Sequence, residues 1–399
     1  MLGKKSIQKF GKIYAYLQNV DLRLKEIGKQ RMTIQGALFT DEKFDDEWSF
    51  FDFVDCDFDV GYNIGLDWLV DCTFTNCNFS GHLGMGDAED VKFINCAVDG
   101  NSTMAFSIET TGLAFNGCKF INHNPDRNHA GAFISSRGEV SFIKCRGKYF
   151  AFSGHKKLVL RNYISEGRTT LGTALPGLYD DISQMPYSDF LLEDCDFTRG
   201  VELFNPYLTN LTMRNCKAGV FQTKGSEVRG DVLVEDIKEG HVNLSASKFQ
   251  GKLTVRNCSF FTTFREHSFR CGGCIPTHTL LENITCGSSP VDVVSTFGPR
   301  EEWKTPPPNK SFIIRDCKIP RLHVDWAQTE HLRIENCQLG HLFIRNGRIG
   351  KLEIIDCSLM HLDVSDTQVQ SQDVRIPEGG KISGHVTVTK GSNIKLLPR

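Results

Sequence analysis

The sequence predicts an all-β fold, a parallel solenoid of about 14 coils. Three observations carry it. A short apolar segment recurs fourteen times from about residue 50 onward. The residue at one fixed place in that segment is Asn or Asp in 12 of the 14 copies. A cysteine usually follows it, at spacings mostly of 18 to 22 residues.

The copies read FVDCDF, FTNCNF, FINCAV, FNGCKF, FIKCRG, LRNYIS, LEDCDF, MRNCKA, VEDIKE, VRNCSF, LENITC, IRDCKI, IENCQL and IIDCSL. Alternating apolar residues make a strand with one face inward. Asn, Asp and Gly tolerate left-handed backbone, so one such residue bends the chain sharply between two short strands. The cysteine then turns inward, where space is tight. Its positions run Cys56, Cys77, Cys96, Cys118, Cys145, Cys195, Cys216, Cys258, Cys317, Cys337 and Cys357, with Tyr163, Ile237 and Ile284 in the remaining copies. Spacing of this kind predicts a column of reduced, buried thiols and no disulfide framework. Stacked coils sit about 4.8 Å apart.

The repeat resembles the right-handed parallel β-helix of the pectin-lyase-like superfamily, over about residues 50–370. That resemblance implies a right-handed coil and a scaffold that serves lyases, hydrolases, phage tailspikes and adhesins alike. Residues 311–370 add a five-residue beat. Positions 314, 319, 324, 329, 334 and onward to 369 are Ile, Leu, Val or Thr. The beat resembles pentapeptide-repeat proteins, whose helix is squarer, although the Ala-Asp/Asn-Leu consensus of that family is absent.

Three regions follow from the pattern: 1–40, 41–370 and 371–399. Residues 1–31 are basic with helical periodicity, Phe10, Ile13, Leu17, Val20, Leu24 and Ile27 forming an a/d seam. An amphipathic helix here caps the solenoid or oligomerises the chain as a short coiled coil. The acidic block 41–60 offsets its charge. Residues 371–399, with Pro377, Gly379, Gly380 and Pro398, read as a C-terminal cap.

Composition narrows the function classes. The 46 basic and 48 acidic side chains nearly cancel, and no basic–aromatic stripe is present, which argues against nucleic acid as partner. No apolar run reaches membrane-spanning length. The opening MLGKKSIQKF has no secretory apolar region, so the expectation is cytoplasmic synthesis, with a virion surface as destination if the chain is tailspike-like.

Candidate sites come from geometry. Insertions at about 121–132, 164–187, 261–279 and 287–310 all follow the strand after the cysteine, so they leave from one side, where they form either a binding face or plain surface loops. They hold Tyr179, Asp180, Asp181, Arg300 and Trp303. His267, Cys271, Cys274 and His278 have a spacing that suits zinc, with free thiols or a redox pair as the alternative. In the strand 321–326, Leu322 and Val324 point inward, which turns His323 and Asp325 outward beside Trp326. Arg345 and Asp363 fall on the same strip in the next two coils. Asp325 and Asp363 would then lie about 9–10 Å apart, near the upper limit for an inverting carboxylate pair. A solvated face with cross-strand charge pairs is the plainer alternative. Two functions follow: a non-enzymatic rod-like recognition or assembly module that binds a protein through its loops, or a polysaccharide-binding or polysaccharide-cleaving protein of tailspike type. No cofactor is expected beyond the zinc alternative.

Overall fold

The computed structural model describes residues 31–40, 44–99, 104–106, 110–121, 132–136, 138–147, 150–154, 156–167, 169–172, 187–204, 207–224, 226–244, 248–260, 269–271, 276–287, 291–292, 309–375 and 386–388. Among them every regular element is a β-strand, and all described strand pairs are parallel. The chain divides into two compact units, Met1–Arg199 and Gly200–Arg399. Each is a parallel β-solenoid. The amphipathic seam of residues 10–27 lies outside the described residues.

In the first unit one sheet stacks Met32–Gln35, Phe51–Val54, Thr73–Thr75, Lys92–Ile94, Leu113–Asn116, Glu139–Ile143, Lys157–Arg161 and Ser188–Glu193. The strand after each corner joins a second sheet, as in Ala97–Asp99, Lys119–Phe120, Arg146–Gly147 and Ile164–Ser165. In register, equivalent residues touch. Phe53, Phe74, Phe93, Phe115 and Phe142 form a face-to-face ladder with ring centroids 4.7–4.8 Å apart. Phe39, Phe58 and Phe79 make a second ladder. The two meet edge to face, as Phe58 and Phe74 do at 5.7 Å, so the core is filled by aromatic rings in both favoured arrangements.

The second unit fills its own inward column with aliphatic side chains. Met213, Val234, Val255, Leu281, Ile314, Ile334, Ile354 and Val374 follow one another in register. From residue 311 the inward positions come in pairs every five residues: Phe312 with Ile314, Cys317 with Ile319, Leu322 with Val324, and Ala327 with Thr329, all buried. Val386–Val388 pairs with Leu362–Val364, so part of the segment read as a cap continues the stack.

The corners behave as the pattern predicts. All fourteen residues ahead of the cysteine position have φ between 49° and 68°. They include Lys144 (φ 55°), which carries the strain of a Cβ in left-handed backbone without the compensation of Asn or Asp. Asn and Asp add a second benefit, because their side chains bond from coil to coil. Asn76 Nδ2 donates to Asp55 Oδ1 at 3.2 Å and Asn283 Nδ2 to Asn257 Oδ1 at 3.0 Å. A second series of corners, including Asp71, Asp90, Trp326, Asn346 and Asp366, escaped the sequence reading.

The cysteine has a physical role at its corner. Its thiol donates to the carbonyl two residues back and faces a carbonyl of the preceding coil. Cys96 Sγ lies 3.5 Å from Ile94 O and 3.3 Å from Phe74 O. At an equivalent second-series corner Thr367 Oγ1 does the same, 3.0 Å from both Ser365 O and Ile344 O. A small side chain with one weak donor satisfies this site. Where Tyr163 replaces the cysteine, Gly147 one coil earlier supplies the room; a Cβ there would stand 2.9 Å from the Tyr163 hydroxyl.

Two outcomes follow. All fourteen described cysteines are free and buried, and burial pushes Cys72 and Cys258 up to about 12. A thiol reagent at pH 8 should therefore leave the fourteen described cysteines unmodified in the folded chain and modify them after denaturation. Rapid reaction of many thiols without unfolding would contradict the buried column. Lys144→Gly should stabilise by about 0.5–1 kcal/mol in denaturant melts, because the relieved left-handed strain exceeds the entropy cost of glycine.

Candidate functional site

Three parallel strands of the second unit carry the predicted strip: Lys318–Asp325, Gln338–Arg345 and Ser358–Ser365. Leu322, Val324, Leu342, Ile344, Leu362 and Val364 are buried beneath it, which turns the alternate residues outward. The register then sorts those residues into columns. One runs Arg321, His341, His361, the next His323, Phe343, Asp363, and the third Asp325, Arg345, Ser365.

His323, Asp325 and Arg345 are brought together. Arg345 grips Asp325 with two parallel bonds, Nε to Oδ1 at 2.8 Å and a terminal nitrogen to Oδ2 at 2.7 Å. The same terminal nitrogen lies 3.1 Å from His323 Nδ1. The donor and acceptor roles at Nδ1 follow from the imidazole tautomer, and Asp325 Oδ2 lies 3.7 Å from the same nitrogen. His323 stacks on Phe343 at 4.5 Å, and the Arg345 guanidinium lies 5.0 Å from the same ring centroid. Burial raises the Asp325 carboxyl, but the hydrogen bonds and charges of His323 and Arg345 outweigh it and hold the group below the usual carboxylate range.

Asp363 stands apart from this cluster. It belongs to the column of His323 and Phe343, and Ser365 Oγ donates to its Oδ1 at 2.6 Å. The two carboxylates therefore sit in different columns with the Phe343–Arg345 row between them. Asp325, ionised and clamped, is poorly suited to donate a proton. Trp326 lies at the corner next to Asp325, partly exposed, in left-handed backbone.

The other candidates divide. Tyr179, Asp180, Asp181, Arg300 and Trp303 lie outside the described residues, as do His267 and Cys274. Cys271 is buried, and His278 Nδ1 is 2.8 Å from Ser311 Oγ. Among the described residues no group of three or more His, Cys, Asp or Glu is placed to hold a metal ion. The strands that launch the insertions do stack within each unit. Lys119–Phe120 and Ile164–Ser165 flank Arg146–Gly147 in one sheet, and Ser259–Phe260 pairs with Thr285–Cys286.

Sequence reading missed several neighbours. His341 lies against Phe343 at 5.9 Å and against His361 at 4.4 Å, extending the flat-ring surface by two members. On the other sheet Glu353 is buried yet charged, with Lys351 Nζ at 2.6 Å, His331 Nε2 at 2.5 Å and Arg333 at 3.6 Å. Bonds from Lys351 lower its pKa most, against burial, and His331 adds to them. A cavity of about 580 Å³ opens on the same sheet, lined by Gln328, Glu330, Arg348, Gly350, Gln368 and Gln370 among others. Writing the last coils in rows of twenty would have exposed all of these columns.

A double-mutant cycle on Asp325→Asn and Arg345→Gln should give a coupling of about 1 kcal/mol, since Arg345 is a third exposed and screened. Asp325 has a depressed folded pKa, so its contribution is full above the ordinary carboxylate pKa of about 4 and is lost as pH falls through the lower folded value. Urea melts should show the wild-type advantage over Asp325→Asn at pH 6 shrinking toward pH 2. An advantage that stays constant across that range would contradict the ion pair.

Among the described residues no helix is long and apolar enough to cross a membrane. Neither a protein-family model, nor a curated protein, nor a solved structure matches the chain.

Proposed function

We propose that this chain is a non-enzymatic recognition and assembly module, a solenoid scaffold that binds a partner through a lateral face and its insertion loops. One observation carries the reading: both carboxylates of the outward strip are already committed, Asp325 to Arg345 and Asp363 to Ser365. Groups locked in mutual bonds make a preorganised surface, whereas acid–base chemistry needs a group free to exchange its proton. The stacking of the strands that launch the insertions supports a one-sided binding face. Kinship to the pectin-lyase-like superfamily, with pentapeptide-like spacing in the last coils, belongs to the proposal and rests on the repeat.

A second reading, binding or cleavage of a polysaccharide, is favoured by the His323–Phe343 stack beside a bidentate Arg–Asp pair. Flat rings bordered by polar groups suit the apolar face and hydroxyls of a sugar. The two readings separate in one screen of the purified full chain against polysaccharides, following both binding and release of fragments. No fragment release is the expected result. Where a glycan binds, Phe343→Ala should weaken it about tenfold while leaving the melting temperature nearly unchanged. Sustained fragment release that disappears in Asp325→Asn or Asp363→Asn would overturn the first reading in favour of the second.

A further inference from the structure

On the sheet away from the His323 strip, the strands Gln328–Glu335, Arg348–Ile355 and Gln368–Arg375 carry a notch. Gln328, Arg348 and Gln368 stand in one outward column. Two residues along, Glu330, Gly350 and Gln370 follow one another from coil to coil. The coils approach so closely there that a Cβ on Gly350 would stand 2.5 Å from Glu330 O. Glycine is therefore required, and the space of one side chain is left open between Glu330 and Gln370. The cavity of about 580 Å³ lies here, within the range of about 300–1,000 Å³ that holds small ligands. Thr329 and Ile349, both buried, line its floor.

That floor is anchored. Thr329 Oγ1 donates to Asn309 Oδ1 at 3.1 Å, and the buried Asn309 amide donates to Pro276 O at 2.9 Å and to Thr279 Oγ1 at 3.1 Å. Glu330 N adds a bond to Asn309 O at 2.8 Å. Pro276 and Asn309 lie near the ends of the last two insertions read from the sequence, so the notch sits at their foot. The charges on its rim are unmatched. Arg315, Arg333 and Arg345 in the same stretch of chain each hold a carboxylate. Glu330 and Arg348 line one cavity without meeting, and among the described residues neither side chain has a polar partner. One coil and two residues separate them, which sets their Cα atoms about 8 Å apart.

We infer that this notch binds a short zwitterionic peptide, its carboxylate on Arg348, its ammonium on Glu330 and its peptide groups on the amides of Gln328 and Gln370. The chemistry matches at each point. The planar guanidinium takes a carboxylate with two parallel bonds. A carboxylate accepts from an ammonium, and a glutamine amide offers the donor and the acceptor that a peptide group needs. An anion alone would leave Glu330 unanswered and a cation alone would leave Arg348 unanswered, so a ligand with both signs is the one that fits. The separation of the two charges suits the termini of a peptide of two or three residues. In a free amino acid both charges flank a single carbon, too close to reach both groups. The site lies on the other sheet from the His323 strip and goes beyond the recognition reading.

Calorimetric titration of the full chain at pH 7 tests this, with dialanine and trialanine as probes beside N-acetyl-trialanine, trialanine amide and free alanine. The unblocked peptides should bind about tenfold more tightly than any of the other three. Glu330→Gln and Arg348→Gln, both exposed and close in size to the native side chains, should each weaken trialanine about tenfold with the melting temperature unchanged. The two ends of the ligand are then assigned by cross-comparison. Acetylation should cost nothing further in Glu330→Gln, and amidation nothing further in Arg348→Gln. Arg321→Gln, the same change of charge on the other sheet, should leave trialanine binding intact. Absence of binding by both peptides, equal binding by the blocked forms, or an equal loss in Arg321→Gln would overturn the site. Should Arg348→Gln fail to fold, the comparison of acetylated and free peptide in Glu330→Gln decides.

Discussion

Everything in this structure depends on parallel stacking in register. Each residue meets its own equivalent one coil before and one coil after, so whatever a position holds is repeated into a column. Apolar positions become ladders, of phenylalanine from Phe53 to Phe142 and of aliphatic residues from Met213 to Val374. The constraint favours rings, which stack face to face at little more than the coil spacing. It penalises charge, which can persist only where the next column or the next coil answers it. The same rule that builds the core thus decides which surface residues can sit together.

The corners show how local chemistry serves that register. A left-handed residue closes each predicted corner, and Asn or Asp there gains a side-chain bond along the axis as well as conformational tolerance. The thiol that follows satisfies carbonyls on both sides of the bend. Thr367 performs this with a hydroxyl, which explains the role as one of size and donor capacity and not of sulfur chemistry. The burial of the thiols, which pushes Cys72 up to about 12, agrees with that reading.

On the outward face the register has chemical consequences. Asp325 and Arg345 oppose each other in adjacent coils and neutralise each other, with His323 Nδ1 beside the same guanidinium. Glu353 gathers Lys351, His331 and Arg333 on the other sheet. The row of flat rings from His323 to His361 gives the same face an apolar platform. A rigid surface with fixed polar groups is suited to recognition, because little ordering cost remains when a partner arrives.

How much of this was legible follows from the range of each interaction. The strand, the left-handed corner and the inward cysteine depend on residues within one repeat, so LRNYIS and VEDIKE could be recognised as coils even without the cysteine. Inward and outward alternation likewise placed His323, Asp325, Arg345 and Asp363 outside. Which of them meet was another matter. It depends on lateral register between coils, where moving two residues along a strand changes the column: Asp363 falls behind Phe343, while Asp325 meets Arg345. The second series of corners, the pairing of Tyr163 with Gly147 and the burial of charged Glu353 belong to the same class. The sequence by itself determined the coil, because a coil is made by short-range alternation and one bend. Only the tertiary structure decided the surface chemistry, because a charge or ring is given its meaning by neighbours some twenty residues away along the chain.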